Sequence, residues 1–531
     1  MGSTMLHNMA IARKIYTSLH VFSSKTHRLS ARVPAYALTL AGTTPKTLKV
    51  EIPQAWPTEY AISEAFQNTF ALLCSGRSLC FECPETFWAM SGLTEEEKAE
   101  LHEFSWLSIL VTIGTTPQRL LARNLVFSWI ERFSKISPLV WHPNILSKRL
   151  SAWVHAYGFV ARTADASFRH VFLKSLVKQY RYLRRTTTLD NVQLMDLHLA
   201  KGVLCTTVAL YGRAGHFLTK TVTDFCLALE KNVSLEDGYP WELLEALRLL
   251  IDIRTALGRV HALPPKGLLD EMARCFAERL RLLQQPDSSL SLLGSKYIPK
   301  KDIVALALVR AHIPSPHTAV ARVAPRFLSI KTANHMILVQ KEAFSPSTKK
   351  AFSPLNTEYS YQEKRLILGG QIHVMNDAFH GASYTSTTSA RVLPLLEMQQ
   401  DKGKYWIRGL ARWHLEGEPF CLKRNLLFVS EDGSLRGEET LSSPPGFSTS
   451  LLFTFFDKGE FCLQDACLSC RLSETKEWHF CFSSGICAEL RSGPSVLREG
   501  LPVATKVLVL YYPTDEETST LRWGMRVSFQ S

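Results

Sequence analysis

Apolar residues recur at helical spacing up to about residue 290 and fall into short, turn-bounded runs after Lys300. Leu243, Leu244, Leu247, Leu250 and Ile251 lie on one face of a helix, whereas Leu426-Leu427-Phe428-Val429, ahead of the turn Glu431-Asp432-Gly433, reads as a strand. A 3.6-residue period places side chains on one side of a helix, and short apolar runs between turn residues mark strands. The chain is therefore predicted to be a multidomain α + β protein with its helices first. Helical blocks are expected near 95–112, 116–135, 143–159, 164–185, 189–211, 213–231, 239–256 and 265–285. Pro138, Pro143, Gly212, Asp237-Gly238 and Pro264-Pro265 separate them. Helices joined this briefly are antiparallel neighbours, forming a bundle, a solenoid or a closed ring of hairpins. No fixed-length repeat is legible, which argues against a regular solenoid.

The same pattern sets the domain boundaries. Residues 1–94 are a basic entry segment with a small β-rich insert at 65–91. Thr94 and Glu97 form a capping-box start for the helical region, 95–288. Residues 289–316 read as a linker. Over 317–531, strands are expected at 320–323, 335–339, 365–368, 405–410, 426–429, 451–456, 479–482 and 506–512. Their spacing implies a large antiparallel β-sandwich.

Composition narrows the partners. A length of 531 residues exceeds a single core. The 61 Lys and Arg against 48 Asp and Glu give a net charge of +13, a field that attracts polyanions. The first 50 residues hold seven Lys or Arg and no Asp or Glu. They lack the apolar core of a signal peptide, and no apolar run is long enough for a membrane span. The expectation is a cytoplasmic or envelope-associated protein.

Of the twelve cysteines, Cys467, Cys470, Cys481 and Cys487 could supply four tetrahedral zinc ligands. Cys462, Cys481 and Cys487 sit among Phe, His and Leu, however, so reduced, buried thiols are the favoured reading, with no metal or cofactor. The phosphate-binding Walker loop, the Gly-x-Ser-x-Gly elbow and the H-E-x-x-H zinc motif are all missing. Asp190, Asp196, Asp237 and Asp252 leave glycoside hydrolysis as a minor option. Residues 178–185 interleave basic and aromatic side chains, as single-stranded RNA binders do. The spacing of Leu173, Leu176, Tyr180 and Leu183 instead makes this a core helix with a basic outer face, so no nucleic-acid partner is expected.

Three stretches carry a family resemblance. They are WIERFSKISPLVWHPNILSKRLSAWVHAY from Trp129, HGASYTSTTSAR from His380 and RWHLEGEPFCLKRNLLFVSEDGSLRGEETL from Arg412. Together the chain resembles the heparinase II/III-like proteins of α-proteobacteria over nearly its whole length. The resemblance implies an N-terminal incomplete (α/α) toroid followed by a C-terminal antiparallel β-sandwich. It also implies a cleft for an acidic polysaccharide and β-elimination beside a uronic acid. His380 falls in the family's histidine run, although an alternative alignment puts Tyr384 there. Tyr239 follows a shortened form of the family's Asp-Gly-Gly-His segment; a helix-capping turn with a semi-exposed aromatic is the simpler reading of it. His380 and Tyr239 are the candidate base and acid. Candidate substrate-binding residues are Lys201, Trp241, Arg391, Arg412 and His414, with Arg408 beside them. The Asn-His pair that neutralises the uronate in active lyases is absent from residues 197–204. There Lys201 or His198 can serve electrostatically, although a solvated helix face is the simpler expectation. Lys423-Arg424 reads as an outward-facing charged pair. The missing family positions motivate an alternative, a catalytically degenerate glycan-binding or envelope-assembly protein.

Overall fold

The computed structural model describes residues 39–40, 42–57, 71–74, 77–80, 84–187, 189, 196–232, 238–262, 267–293, 297–312, 320–323, 326–341, 355–376, 395–415, 418–457, 459–473, 476–498, 501–512 and 518–529. The chain divides into two compact units, residues 1–233 with 245–275, and residues 234–244 with 276–531.

The first unit is helical after an entry hairpin, β1 (Ala71–Cys74) and β2 (Arg77–Cys80). Its helices are α1 (Pro84–Phe87), α2 (Glu95–Glu103), α3 (Leu107–Ile113), α4 (Thr116–Phe133), α5 (Pro143–Val160), α6 (Ala166–Thr186), α7 (Leu197–Tyr211) and α8 (His216–Asn232). Most of α9 (Pro240–Gly258) and the start of α10 (Leu268–Leu282) also belong to it. The predicted capping box starts α2: Thr94 Oγ1 accepts from the Glu97 amide at 3.1 Å, and Glu97 Oε2 accepts from the Thr94 amide at 2.8 Å. The carboxylate of Asp165 caps α6 by accepting from the Ser167 and Phe168 amides. On α6, Leu173, Leu176, Tyr180 and Leu183 are buried, as their spacing required. Gly202 on α7 sits against α5, where a Cβ would come within 2.7 Å of Ser147, so only glycine allows this approach.

Packed rings fill the core of this unit. Trp129 meets Trp153 edge-on at 5.5 Å, and Phe104 meets both. Arg149 lies fully buried beside them. It donates to Gln179 Oε1 and to the carbonyls of His102 and Val140, and its guanidinium stacks 4.3 Å from the Trp129 ring. Burial pushes its proton affinity well below the usual arginine value.

The second unit is built of antiparallel sheets with one parallel pairing. Its largest sheet has eight strands in the order β10 (Leu395–Asp401), β11 (Lys404–Leu415), β12 (Glu418–Val429), β13 (Leu435–Ser442), β22 (Thr518–Phe529), β17 (Lys476–Phe482), β16 (Cys467–Ser473) and β15 (Phe461–Gln464). A four-stranded sheet runs β18 (Ala488–Ser492), β21 (Thr505–Tyr511), β14 (Phe447–Phe456), β9 (Gly369–Asn376). A five-stranded sheet runs β4 (Val320–Val323), β5 (Phe327–Lys331), β6 (His335–Gln340), β7 (Thr357–Tyr361), β8 (Lys364–Ile367). In a small three-stranded sheet, β20 (Leu501–Val503) pairs with β19 (Val496–Arg498), and β19 pairs in parallel with β3 (Tyr297–Ile298). Residues of the three larger sheets share one apolar core, with Leu422, Phe428, Phe453, Phe480 and Leu508 among them.

Two expectations are corrected here. The stretch 289–316 is not a bare linker, for it carries β3 and helix α11 (Lys301–Arg310). Ile303, Val304, Ala307 and Leu308 give that helix a buried face, and only the residues before Lys300 have linker-like composition. The segment is also tied down, since buried Glu358 on β7 accepts from Gln285 Nε2 at 2.8 Å and from the Leu292 amide at 2.6 Å. Burial pushes the Glu358 carboxyl up to about 7.

Lys423 and Arg424 do not both face outward. Successive strand residues point to opposite faces, so Lys423 is exposed while Arg424 is 2% exposed. Arg424 Nε donates to fully buried Glu439 on β13 at 2.7 Å. Its Nη1 donates to the carbonyls of Leu355 and Gly370 and to Thr357 Oγ1. Trp523 Nε1 donates to the other Glu439 oxygen at 3.1 Å. The indole lies over Gly437, its register partner, where any side chain would collide with it.

Arg424→Met is expected to lower stability by about 3–5 kcal/mol, because it strands a buried carboxylate. Adding Glu439→Leu should recover much of the loss. Urea unfolding midpoints of the single and double variants check this; equal midpoints for wild type and Arg424→Met would contradict it.

Candidate functional site

Three helices of the first unit carry polar stripes inside otherwise apolar faces. Lys148 and His155 lie seven residues apart on α5; His198, Lys201 and Cys205 share a face of α7; Glu245, Arg248 and Asp252 share a face of α9. Spacings of three, four and seven put side chains on one side of a helix. The stripes meet. Lys201 Nζ lies 2.6 Å from Asp252 Oδ2, and Trp56 Nε1 donates to Asp252 Oδ1 at 2.8 Å. Glu245 lies 3.5 Å from His198 Nε2 and 3.4 Å from Arg248 Nη1. The Arg248 guanidinium sits 5.3 Å from the Trp56 ring, and Lys148 donates to Glu103 at 3.0 Å.

Burial sets the charges. It raises the proton affinity of Asp252, but Lys201, His155 and the hydrogen bonds from Lys201 and Trp56 outweigh it, so the carboxyl stays below its ordinary value. Burial acts against the Lys201 charge too, and Asp252 more than restores it. Both groups are therefore ionised. Burial, reinforced by Lys201, lowers His155 to about 4; burial with Lys148 and Lys201 lowers His198 to about 3. Both imidazoles are neutral at pH 7. Burial pushes the Cys205 thiol up to about 12, so it stays protonated and inert.

The geometry around His155 also selects its tautomer. Nδ1 faces the carbonyls of Ile52 at 3.0 Å and Pro53 at 3.3 Å. Carbonyls only accept, so Nδ1 carries the proton and Nε2 carries the lone pair. Nε2 is buried and has no hydrogen-bond partner among the described residues. The cluster opens to solvent at Glu245 and His198, whose side chains are 37% and 27% exposed, and closes at Asp252, 3% exposed. At that opening, Lys148 and Lys201 are the cations that act on the Glu245 carboxylate, while the lone pair of His155 Nε2 stays sealed within the cluster.

Of the residues expected from the sequence, Lys201 and His198 fall in this cluster. The solvated-face expectation for Lys201 is corrected: its side chain is 15% exposed and ion-paired. Tyr239 belongs to the second unit and is buried rather than semi-exposed. Its amide donates to Glu242 at the start of α9, as the capping reading required. Its hydroxyl lies 3.5 Å from Gln340 Nε2, with the Arg326 guanidinium 5.4 Å from its ring. Trp241, in the first turn of α9, is half-buried. Arg412 and His414, with Arg408, project from the exposed face of β11. His380, Tyr384 and Arg391 lie outside the described residues.

The cysteine expectation changes as well. Cys467 and Cys481 face each other across β16 and β17 and form a disulfide, while Cys462 and Cys487 are exposed and only Cys470 of the group is a buried free thiol. Cys467 and Cys481 share the outward face of their strands, so the register pairs them instead of burying them. Among the described residues no group of three or more His, Cys, Asp or Glu is placed to hold a metal. Missed entirely in the sequence were His155 as a site residue and the pairing of Lys201 with Asp252. The legible signal was the seven-residue polar spacing on helices that are apolar elsewhere.

No protein-family model matches the chain, and no curated protein matches it in sequence. Solved structures do share its fold. The crystal structure of heparinase III matches 96% of this chain over 92% of its own, with a TM-score of 0.62 at 9% identity. A mutant heparan sulfate lyase from Pedobacter heparinus matches 99% of this chain over 91% of its own (TM-score 0.53, 11% identity). A chondroitinase AC lyase matches 91% over 82% (TM-score 0.50, 9% identity). The structural neighbours of this chain are thus heparinase III and chondroitinase AC lyases.

The two neutral histidines make stability depend on pH. Unfolded, they bind protons near pH 6.5; folded, only near 4 and 3. The unfolded chain therefore takes up more protons below pH 6.5, so stability is present above that pH and is lost as pH falls toward 4. A loss of about 1–2 kcal/mol per histidine is expected after solvent screening. His155→Gln should flatten part of this fall, as read by urea midpoints from pH 7.5 to about 4.5.

Proposed function

We propose that this protein is polysaccharide lyase-like and acts by β-elimination on a uronic-acid-containing glycan. In this reading the helices form an incomplete (α/α) toroid and the strands a β-sandwich. The observation that carries it is the whole-length likeness to heparinase III, which spans 96% of this chain and 92% of that one. Elimination needs three things: neutralisation of the uronate carboxylate, a base for the C5 proton and an acid at the departing glycosidic oxygen. Lys201, kept charged by Asp252, is the neutralising group. His155, with its low proton affinity and buried Nε2, is not the base. His380 and Tyr239 act as base and acid. Trp241, Arg391, Arg412 and His414 complete the proposed substrate contacts.

A second reading, glycan binding without catalysis, is favoured by one observation. Where active lyases carry Asn-His, α7 carries Lys201, and its charge is already engaged by Asp252 at 2.6 Å.

Incubation with heparan sulfate, chondroitin sulfate and other uronate glycans separates the two. A lyase leaves an unsaturated uronate, seen as rising near-ultraviolet absorbance. Lys201→Ala is expected to slow that rise by at least about 10-fold, and His380→Ala and Tyr239→Phe by about 100-fold or more, in the range for loss of a general acid or base. Flat absorbance together with measurable glycan binding would establish the second reading instead.

A further inference from the structure

The positive charge of this chain is concentrated. Between residues 116 and 220 there are sixteen Lys or Arg against four Asp or Glu, which accounts for nearly all of the net +13. Its centre is α6. That helix contains Arg169, Lys174, Lys178, Arg181, Arg184 and Arg185, with His170, and no carboxylate. At 1.5 Å per residue it is a basic ridge about 30 Å long.

None of these six cations is ion-paired among the described residues. Arg169 donates to the Arg162 carbonyl, Lys178 to the Ser134 carbonyl, Arg181 to the Leu40 carbonyl and Arg185 to Thr39. Of the carboxylates close by in the described chain, Asp165 caps the helix and Glu51 pairs with Arg162. A helix face with this much uncompensated charge repels itself and stands ready for a polyanion.

Exposed apolar side chains flank the ridge. Phe127 on α4 is 38% exposed, with its ring 6.4 Å from Phe168 on α6. Leu120, one heptad earlier on α4, is 51% exposed. Beyond the other end, Phe217 on α8 is 39% exposed and lies under the Arg184 guanidinium at 4.4 Å. Tyr211, 49% exposed, lies 6.3 Å from Tyr180.

We propose that the outer face of α6, with Phe127 and Phe217 at its flanks, docks on an anionic membrane surface. Lys and Arg meet the phosphate headgroups while the aromatic rings enter the headgroup–acyl boundary. The exposed apolar side chains favour a membrane among polyanions: a sulfated glycan could stack a sugar face on a ring, but exposed Leu120 beside Phe127 gains only from an acyl boundary. A single-stranded nucleic acid would need bases stacked along the ridge, but the aromatics of α6 itself, Phe168, Phe172, Tyr180 and Tyr182, are all buried. No helix among the described residues is long and apolar enough to cross a membrane, so this is attachment to a surface. The proposal is independent of the glycan reading and uses none of its residues.

The test is sedimentation of the full chain with vesicles of phosphatidylcholine alone, and of phosphatidylcholine with about 30% phosphatidylglycerol. Binding is expected only to the anionic vesicles and should weaken steeply as salt rises toward 0.5 M. Lys174→Glu/Arg184→Glu should weaken it by at least about 10-fold; Lys174→Gln/Arg184→Gln, a milder change, should weaken it less. Phe127→Ser/Phe217→Ser should remove the binding that persists at high salt. Equal binding to neutral vesicles, or unchanged binding by the charge variants with circular dichroism intact, would overturn the proposal. So would failure to bind vesicles while heparin or single-stranded RNA is held and released by the same charge variants.

Discussion

The β unit depends on one buried ion pair. Arg424 and Glu439 have left water together, and their mutual attraction only offsets that cost because nearly every remaining donor and acceptor is used. Arg424 reaches β7, β9 and Leu355 from β12, while Glu439 holds Trp523 on β22. The pair thus fixes where the five-, four- and eight-stranded sheets meet around their common core. An apolar core of similar volume would bury as well, but it would not dictate which strand lies over which.

The helical unit solves a related problem differently. Arg149 satisfies its guanidinium on carbonyls, an amide and an indole face without any carboxylate. Lys201 uses the carboxylate of Asp252 instead, and the difference matters for chemistry. Arg149 is sealed, whereas the Lys201 cluster reaches solvent through His198 and Glu245. A charged, partly wet cluster can meet a ligand at its open end. A sealed one can only hold helices together.

Legibility in the sequence followed the range of the interaction. The capping box at Thr94, the buried stripe of α6 and the alternation along β12 are set within a few residues of chain, so each could be read directly. Lys423 and Arg424 show the limit. Strand alternation puts Arg424 on the face of Leu422 and Leu426, but only the β13 partner shows the carboxylate that lets a guanidinium be buried there. The cysteines show it again: Cys467 and Cys481 are fourteen residues apart, and their pairing follows from the register of β16 against β17.

By itself, then, the sequence determined the order of helices and strands, the identity of most core faces and the basic character of α6. These rest on periodicity and composition, which any local stretch carries. Tertiary structure alone decided that Lys201 is an internal ion pair, that His155 presents an unprotonated Nε2, and that Tyr239 is buried against β5 and β6. Each of these depends on a partner 50 or more residues away, or on how deeply the group is removed from water. Proton affinity responds to both of those, and neither is written in the neighbouring residues.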